Sequence, residues 1–141
     1  MGALEGKVAL VTGSGRGIGN AIAQRLAREG ARLVINDLDA EPAHATVEAL
    51  RKMGVEAVAC VGNVTAPDFA DRFIGTAMSE FKGIDIIVNN AGFTWDDVVQ
   101  KMSDEQWYAI LDCHMTAPFR ILRAAYPHLK ALHAADMEAG R

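Results

Sequence analysis

The sequence predicts a doubly wound α/β fold, a parallel β-sheet with helices packed on both faces. Three observations carry this reading. Short runs rich in β-branched residues alternate with longer amphipathic stretches along most of the chain. A glycine-rich turn joins the first such run to the first helical stretch. Successive strands are far enough apart for a helix to cross between them, and such crossovers are right-handed and build parallel sheets. At 141 residues, 50% hydrophobic and 23% charged, the chain suits one domain whose core needs no disulfide or metal.

Val8, Ala9, Leu10 and Val11 form a short apolar run bounded by glycines, the signature of a buried strand. The following periodicity predicts a helix over 18–29, with Ile18, Ile22, Leu26 and Ala27 on one face and Gly30 as its stop. A second strand over 33–35, a helix over 43–53 and a third strand over 55–61 follow. Pro67 stands where a first helical turn tolerates proline, which predicts a helix over 68–81, and 84–88 reads as the fourth strand. Ser103 and Gln106 have the spacing of a capping box. The helix it opens is expected to run over 104–135, disturbed near Pro118 and Pro127, while 134–141 carries no strong signal. Residues 1–141 thus form a single domain, with the sheet expected to break off after the fourth strand and the long helix.

Charge and composition exclude several function classes. The net charge is -4, from 18 acidic and 14 basic residues scattered along the chain, so no basic face is expected for nucleic acid or an anionic membrane. No apolar run approaches a membrane span, and the first residues, Met1 to Lys7, lack the charged leader and apolar stretch of a secretory signal. Cys60 and Cys113 have no metal-type spacing and read as two reduced, buried thiols, so no metal site is expected. These features together predict a cytoplasmic protein.

The chemistry begins at the turn Thr12-Gly13-Ser14-Gly15-Arg16-Gly17-Ile18-Gly19. Glycines permit a tight turn and a close approach of backbone to a pyrophosphate, and the helix N-terminus behind them offers free N–H groups and partial positive charge. Glycines also make ordinary turns, but the strand before this one and the helix after it supply the context of a dinucleotide site. Asp37 closes the second strand, where a carboxylate accepts hydrogen bonds from a ribose 2′-hydroxyl and repels a 2′-phosphate. That favours NAD over NADP. Arg16 pulls the other way, because a guanidinium pairs with phosphate. Asp37 also has a plainer reading, as a turn residue in Asn36-Asp37-Leu38-Asp39.

These motifs resemble the short-chain dehydrogenase/reductase family. Thr12 to Gly19 is similar to the family's TGxxxGIG, and Asn89-Asn90-Ala91-Gly92 resembles its NNAG. The likeness covers nearly the whole chain and is strongest to 3-oxoacyl-carrier-protein reductases and related hydroxyacyl dehydrogenases. It implies a Rossmann-type layer in which Gly13, Ser14, Arg16, Gly17, Ile18 and Gly19 hold the pyrophosphate and Asp37 selects the ribose. Asn63 and Val64 stand where the family has Asp-Val beside the adenine, and Asn90, Ala91 and Gly92 border the cofactor. It also implies self-association through the helix over 104–135, whose Ile110, Leu111, Ile121, Leu122, Ala125 and Leu129 exceed the apolar surface one sheet face needs. The outer edge of the fourth strand, near Ile84, Ile86 and Val88, is expected to be left unpaired.

The family's proton transfer resembles that of a tyrosine made acidic by a lysine four residues on, with a serine at the substrate carbonyl. The resemblance places these after the next strand, beyond Arg141. An asparagine in the preceding long helix completes the family's relay, and His114 stands in its place. His114 is the one catalytic candidate here, and a polar residue merely satisfied in its helix is the equal alternative. Tyr126 and Lys130 match Y-x-x-x-K by letter but lie too close to the NNAG segment, with Pro127 between them. Cys113 stands at the family's serine spacing before them, but Cys113 and His114 are adjacent on a helix, point about 100° apart and cannot pair as nucleophile and base. Two functions remain open: the NAD-binding half of an oxidoreductase acting on a small carbonyl or alcohol substrate, or a non-catalytic nucleotide-binding or assembly module.

Overall fold

The computed structural model describes residues 2–141. Its centre is a four-stranded parallel sheet of β1 (Val8–Val11), β2 (Arg32–Ile35), β3 (Ala57–Ala59) and β4 (Ile86–Val88), in the order β3-β2-β1-β4. The chain builds outward from β1 through β2 to β3, then crosses back to place β4 on the other side of β1. This makes β4 an edge strand among the described residues, and opens a crevice between the carboxyl ends of β1 and β4.

The sheet is covered on both faces because its strands alternate. Val8, Leu10 and Val34 point into a core shared with α3 (Phe69–Phe81) and α5 (Ala117–Glu138), where Phe69 stacks on Phe73 with ring centroids 5.1 Å apart. Ala9, Val11, Leu33 and Ile35 point the other way, against α1 (Gly17–Arg28) and α2 (Ala40–Lys52). All of β1 is buried, as its unbroken apolar run requires.

Several elements depart from the sequence expectation. The buried face of α1 is Gly19, Ala23 and Ala27, whereas Ile18 is 76% exposed. A stripe of small residues at i, i+4 and i+8 brings the helix axis close to β1, and that rotation turns Ile18 outward. The helix α2 begins at Ala40, taking Pro42 into its first turn, and buries Ala43, Thr46, Val47 and Leu50. The strands β3 and β4 are each only three residues long. The capping box is present: the Gln106 amide donates to Ser103 Oγ (3.1 Å) and the Ser103 amide to Gln106 Oε1 (3.0 Å).

The long helix is interrupted once, before Pro118 and not at Pro127. It runs as α4 (Asp104–Leu111), a π-helical turn (Asp112–Thr116) and α5. Pro118 has no N–H to give to the carbonyl four residues back. A widened turn, in which the Ala117 amide bonds Asp112 O, absorbs that break. Pro127 lies inside α5 without ending it, and the helix continues into the region 134–138 that carried no signal.

Candidate dinucleotide site

The glycine turn is held by Asn36 and Asn20 from outside its sequence motif and by Thr12 from within it. Asn36, 1% exposed at the end of β2, accepts from the Gly13 amide through Oδ1 (3.0 Å) and donates through Nδ2 to Cys60 O (3.0 Å) and Gly62 O (3.1 Å). One side chain therefore ties together the carboxyl ends of three strands. Thr12 does the same toward β4: its Oγ1 accepts from the Asn90 amide (3.0 Å) and the Ala91 amide (2.9 Å). Asn20 donates to Thr46 Oγ1 (2.8 Å), and Thr46 donates to Gly15 O (3.2 Å), which fastens α2 to the turn.

Within this frame the expected site residues separate into two groups. Ser14, expected among the pyrophosphate ligands, is fully buried, with its hydroxyl donating to Val11 O (2.7 Å) and accepting from the Asn36 amide (3.0 Å). It staples the turn, and with no exposed surface it cannot reach a ligand. Gly19 is likewise buried and its role is steric, since a Cβ there would stand 2.2 Å from Gly13 O and 2.5 Å from Asn90 Nδ2. Gly13 and Gly17 have φ of 61° and 60°, which favours glycine at both.

The remainder line a cleft of about 850 Å³ at the crevice: Gly13, Arg16, Ile18, Asp37, Asn63, Val64, Asn90, Ala91 and Gly92. Asn90 Nδ2 donates to Thr12 O and Gly13 O (3.1 and 3.2 Å), locking the glycine turn to the end of β4. Asn63 Oδ1 is occupied with the Thr65 amide (2.9 Å), so the loop after β3 is shaped before any ligand arrives. Leu38 is 65% exposed and joins Ile18 as an apolar wall, a feature that periodicity missed by assigning Ile18 to the core.

Charge is concentrated at one end. Asp37 is 5% exposed, and its Oδ1 accepts from Arg16 Nη2 (3.1 Å) and from the Asp39 amide (3.1 Å). Arg16 also bonds Asp39 Oδ2 (2.6 Å). These bonds, Asp37 first and then Asp39, raise the guanidinium pKa above its ordinary value. Among the described residues no side chain caps the first turn of α1, and its N–H groups before Asn20, whose amide bonds Arg16 O, stay available to an anion. Positive-φ glycines, an uncapped helix N-terminus and a roomy crevice fit a nicotinamide dinucleotide.

His114 projects from the π-helical turn toward the end of the NNAG segment. Its Nε2 lies 2.9 Å from Phe93 O, and its ring would crowd a Cβ at Gly92 to 2.6 Å. Cys113, one residue back, is buried with Sγ 3.7 Å from Ala91 O, and desolvation pushes its pKa up. The two side chains serve different neighbours, so no Cys-His pair forms. Cys60 and Cys113 are both free and buried. Tyr126 and Lys130 are exposed on α5 and contribute nothing to the cleft lining.

A parallel sheet with the order β3-β2-β1-β4 and a glycine turn at its switch point is the arrangement of a Rossmann-type dinucleotide-binding layer. Residues 7–139 match the family described as short chain dehydrogenase, and the chain belongs to that family. It is 41% identical over 125 residues to the 3-oxoacyl-[acyl-carrier-protein] reductase of Synechocystis sp., covering 88% of this chain and 51% of that protein. A short chain dehydrogenase from Mycobacterium avium superposes with a TM-score of 0.89 at 36% identity, over 96% of this chain and 51% of that one. A metagenomic short-chain oxidoreductase solved in complex with NADP gives 0.85 at 34% identity, over 92% and 59%. The chain spans about half the length of the curated relatives it matches.

Proposed function

We propose that these residues are the dinucleotide-binding portion of an oxidoreductase that moves a hydride between a nicotinamide and a carbonyl or secondary-alcohol carbon. The observation that carries the reading is the crevice itself, with an uncapped α1 N-terminus and the glycine turn bolted to β4 by Asn90. A 3-oxoacyl or similar small substrate is proposed from the kinship with 3-oxoacyl-[acyl-carrier-protein] reductases. Gly13, Gly17 and Ile18 form the pyrophosphate end, with Ser14 and Gly19 bracing it from within and the Arg16 side chain held at the ribose end. Asp37 selects the ribose, Asn63 and Val64 flank the adenine, and Asn90, Ala91 and Gly92 border the nicotinamide side.

The cofactor proposed is NAD. One guanidinium faces two carboxylates, so the ribose end keeps negative charge, which a 2′-phosphate opposes. The NADP in the metagenomic relative belongs to that protein, and titration decides for this one. His114 is proposed to hold the Gly92-Phe93 backbone beside the cofactor, a relay role being the stronger version of the same placement.

Self-association is proposed through the face over 104–135, where Met115, Phe119, Leu122 and Tyr126 are all more than half exposed. A cytoplasmic setting agrees with two free thiols. Among the described residues no helix is long and apolar enough to cross a membrane.

The test follows absorbance at 340 nm with NADH plus a 3-oxoacyl thioester, and with NAD plus a 3-hydroxyacyl thioester. The 141 residues alone are expected to bind cofactor without turnover, because the resemblance places the serine, tyrosine and lysine after them. A longer chain carrying those residues is expected to turn over. Binding without turnover in that longer chain would support the alternative, a nucleotide-binding or assembly module.

A further inference from the structure

Asp39 stands at the N-cap of α2 with extended backbone, the position where an aspartate ordinarily accepts from the first-turn amides. Its carboxylate makes no such bond. It reaches across the cleft mouth to Arg16, at 2.6 Å, a shorter contact than the 3.1 Å between Arg16 and the buried Asp37. Among the described residues Arg16 is the single basic side chain lining the dinucleotide cleft, and Glu41 lines the adjoining hollow beside Arg16 and Asp39. Left with Asp37 alone, Arg16 would form a neutral pair at the ribose end and could swing onto a phosphate, since its side chain is 62% exposed.

We infer that Asp39 is a specificity-determining residue that acts through Arg16, sequestering a latent 2′-phosphate-binding guanidinium and so closing the ribose end to NADP. The inference rests on the reading of the cleft as a dinucleotide site. Asp37 supplies the hydrogen-bond acceptor for a free 2′-hydroxyl, and Asp39 supplies the negative charge that keeps Arg16 occupied. Both side chains of the Arg16–Asp39 pair are 62% exposed, so the effect is modest and sensitive to salt.

The experiment is a titration of NADH and NADPH into wild-type protein, Asp39→Asn, Arg16→Gln and the double variant at low ionic strength. Asparagine preserves the shape and the N-cap preference of residue 39, so α2 keeps its start. The expected result is a wild type that prefers NADH and an Asp39→Asn variant whose NADPH-to-NADH affinity ratio rises about tenfold, since a freed guanidinium makes a charge-assisted bond to phosphate. That gain should vanish in the double variant and shrink near 1 M salt, where the Debye length is about 3 Å. A wild type that binds neither dinucleotide overturns the site reading together with the inference, whereas one that binds NADPH in preference leaves the site reading standing and overturns the inference. A wild type that prefers NADH, with a ratio unmoved by Asp39→Asn or moved equally with and without Arg16, overturns the inference alone.

Discussion

Replacing Gly19 with alanine probes the join between the glycine turn and β4 more sharply than any charge change. The added Cβ would stand 2.2 Å from Gly13 O and 2.5 Å from Asn90 Nδ2. The first is backbone, so the turn or the helix must move, and overpacking of that kind costs about 1–3 kcal/mol. Asn90 Nδ2 must also leave Thr12 O and Gly13 O, and two lost hydrogen bonds add about 2 kcal/mol. Alanine's helix propensity returns about 1 kcal/mol, for a net loss of about 2–4 kcal/mol. Over 141 residues the unfolding entropy is about 0.3 kcal/mol/K, so the melting midpoint should fall by about 7–13 °C. Gly75→Ala is the control: it lies within α3, nothing stands within 4 Å of its added Cβ, and the midpoint should rise by about 2–3 °C. Circular dichroism melts read both, and a calorimetric titration with NADH should show binding weakened at least about tenfold by Gly19→Ala alone. A Gly19→Ala variant as stable as wild type, with unchanged NADH affinity, would refute the close-approach argument.

Other consequences are open to direct measurement. Asp37→Asn should weaken NADH about tenfold, the worth of one charge-assisted bond, and weaken NADPH less or not at all; equal loss for both would make Asp37 a turn residue only. Burial pushes the Cys60 and Cys113 pKa values up. A thiol whose folded pKa exceeds its unfolded value contributes stability below the unfolded pKa, and that contribution is lost as pH rises toward the folded one. The melting midpoint should therefore decline above about pH 8.5, and Cys60→Ala should flatten the decline; a flat wild-type profile contradicts this. If the exposed face of α5 carries the proposed self-association, Leu122→Lys should shift light scattering from the associated form toward monomer. A wild type that is already monomeric at high concentration removes that interface.

Legibility from the sequence followed the length scale of the signal. The strand-helix alternation and the placement of Gly13, Asp37 and Asn90 at strand ends were readable because burial and turn chemistry act over a few neighbouring residues. The capping box of Ser103 and Gln106 was readable for the same reason. The rotation of α1 was not, because periodicity counts Ile18 as apolar, whereas the close approach demanded by Gly19 and Ala23 decides which face turns inward. The polar frame was missed as well. Asn36 directly precedes Asp37, and a buried asparagine ending an apolar strand was the available signal, but its partners Gly13, Cys60 and Gly62 are distant in sequence. The π-helical turn reflects Pro118, yet the sequence alone places the disturbance equally at Pro127.

The most direct test of the account is a calorimetric titration of wild-type protein with NADH. Saturable binding of one molecule per chain is expected, competed by NAD and weakened at least about tenfold in Gly19→Ala. Absence of binding at millimolar NADH in protein that melts cooperatively would contradict it, and the crevice between β1 and β4 would then be a structural seam alone.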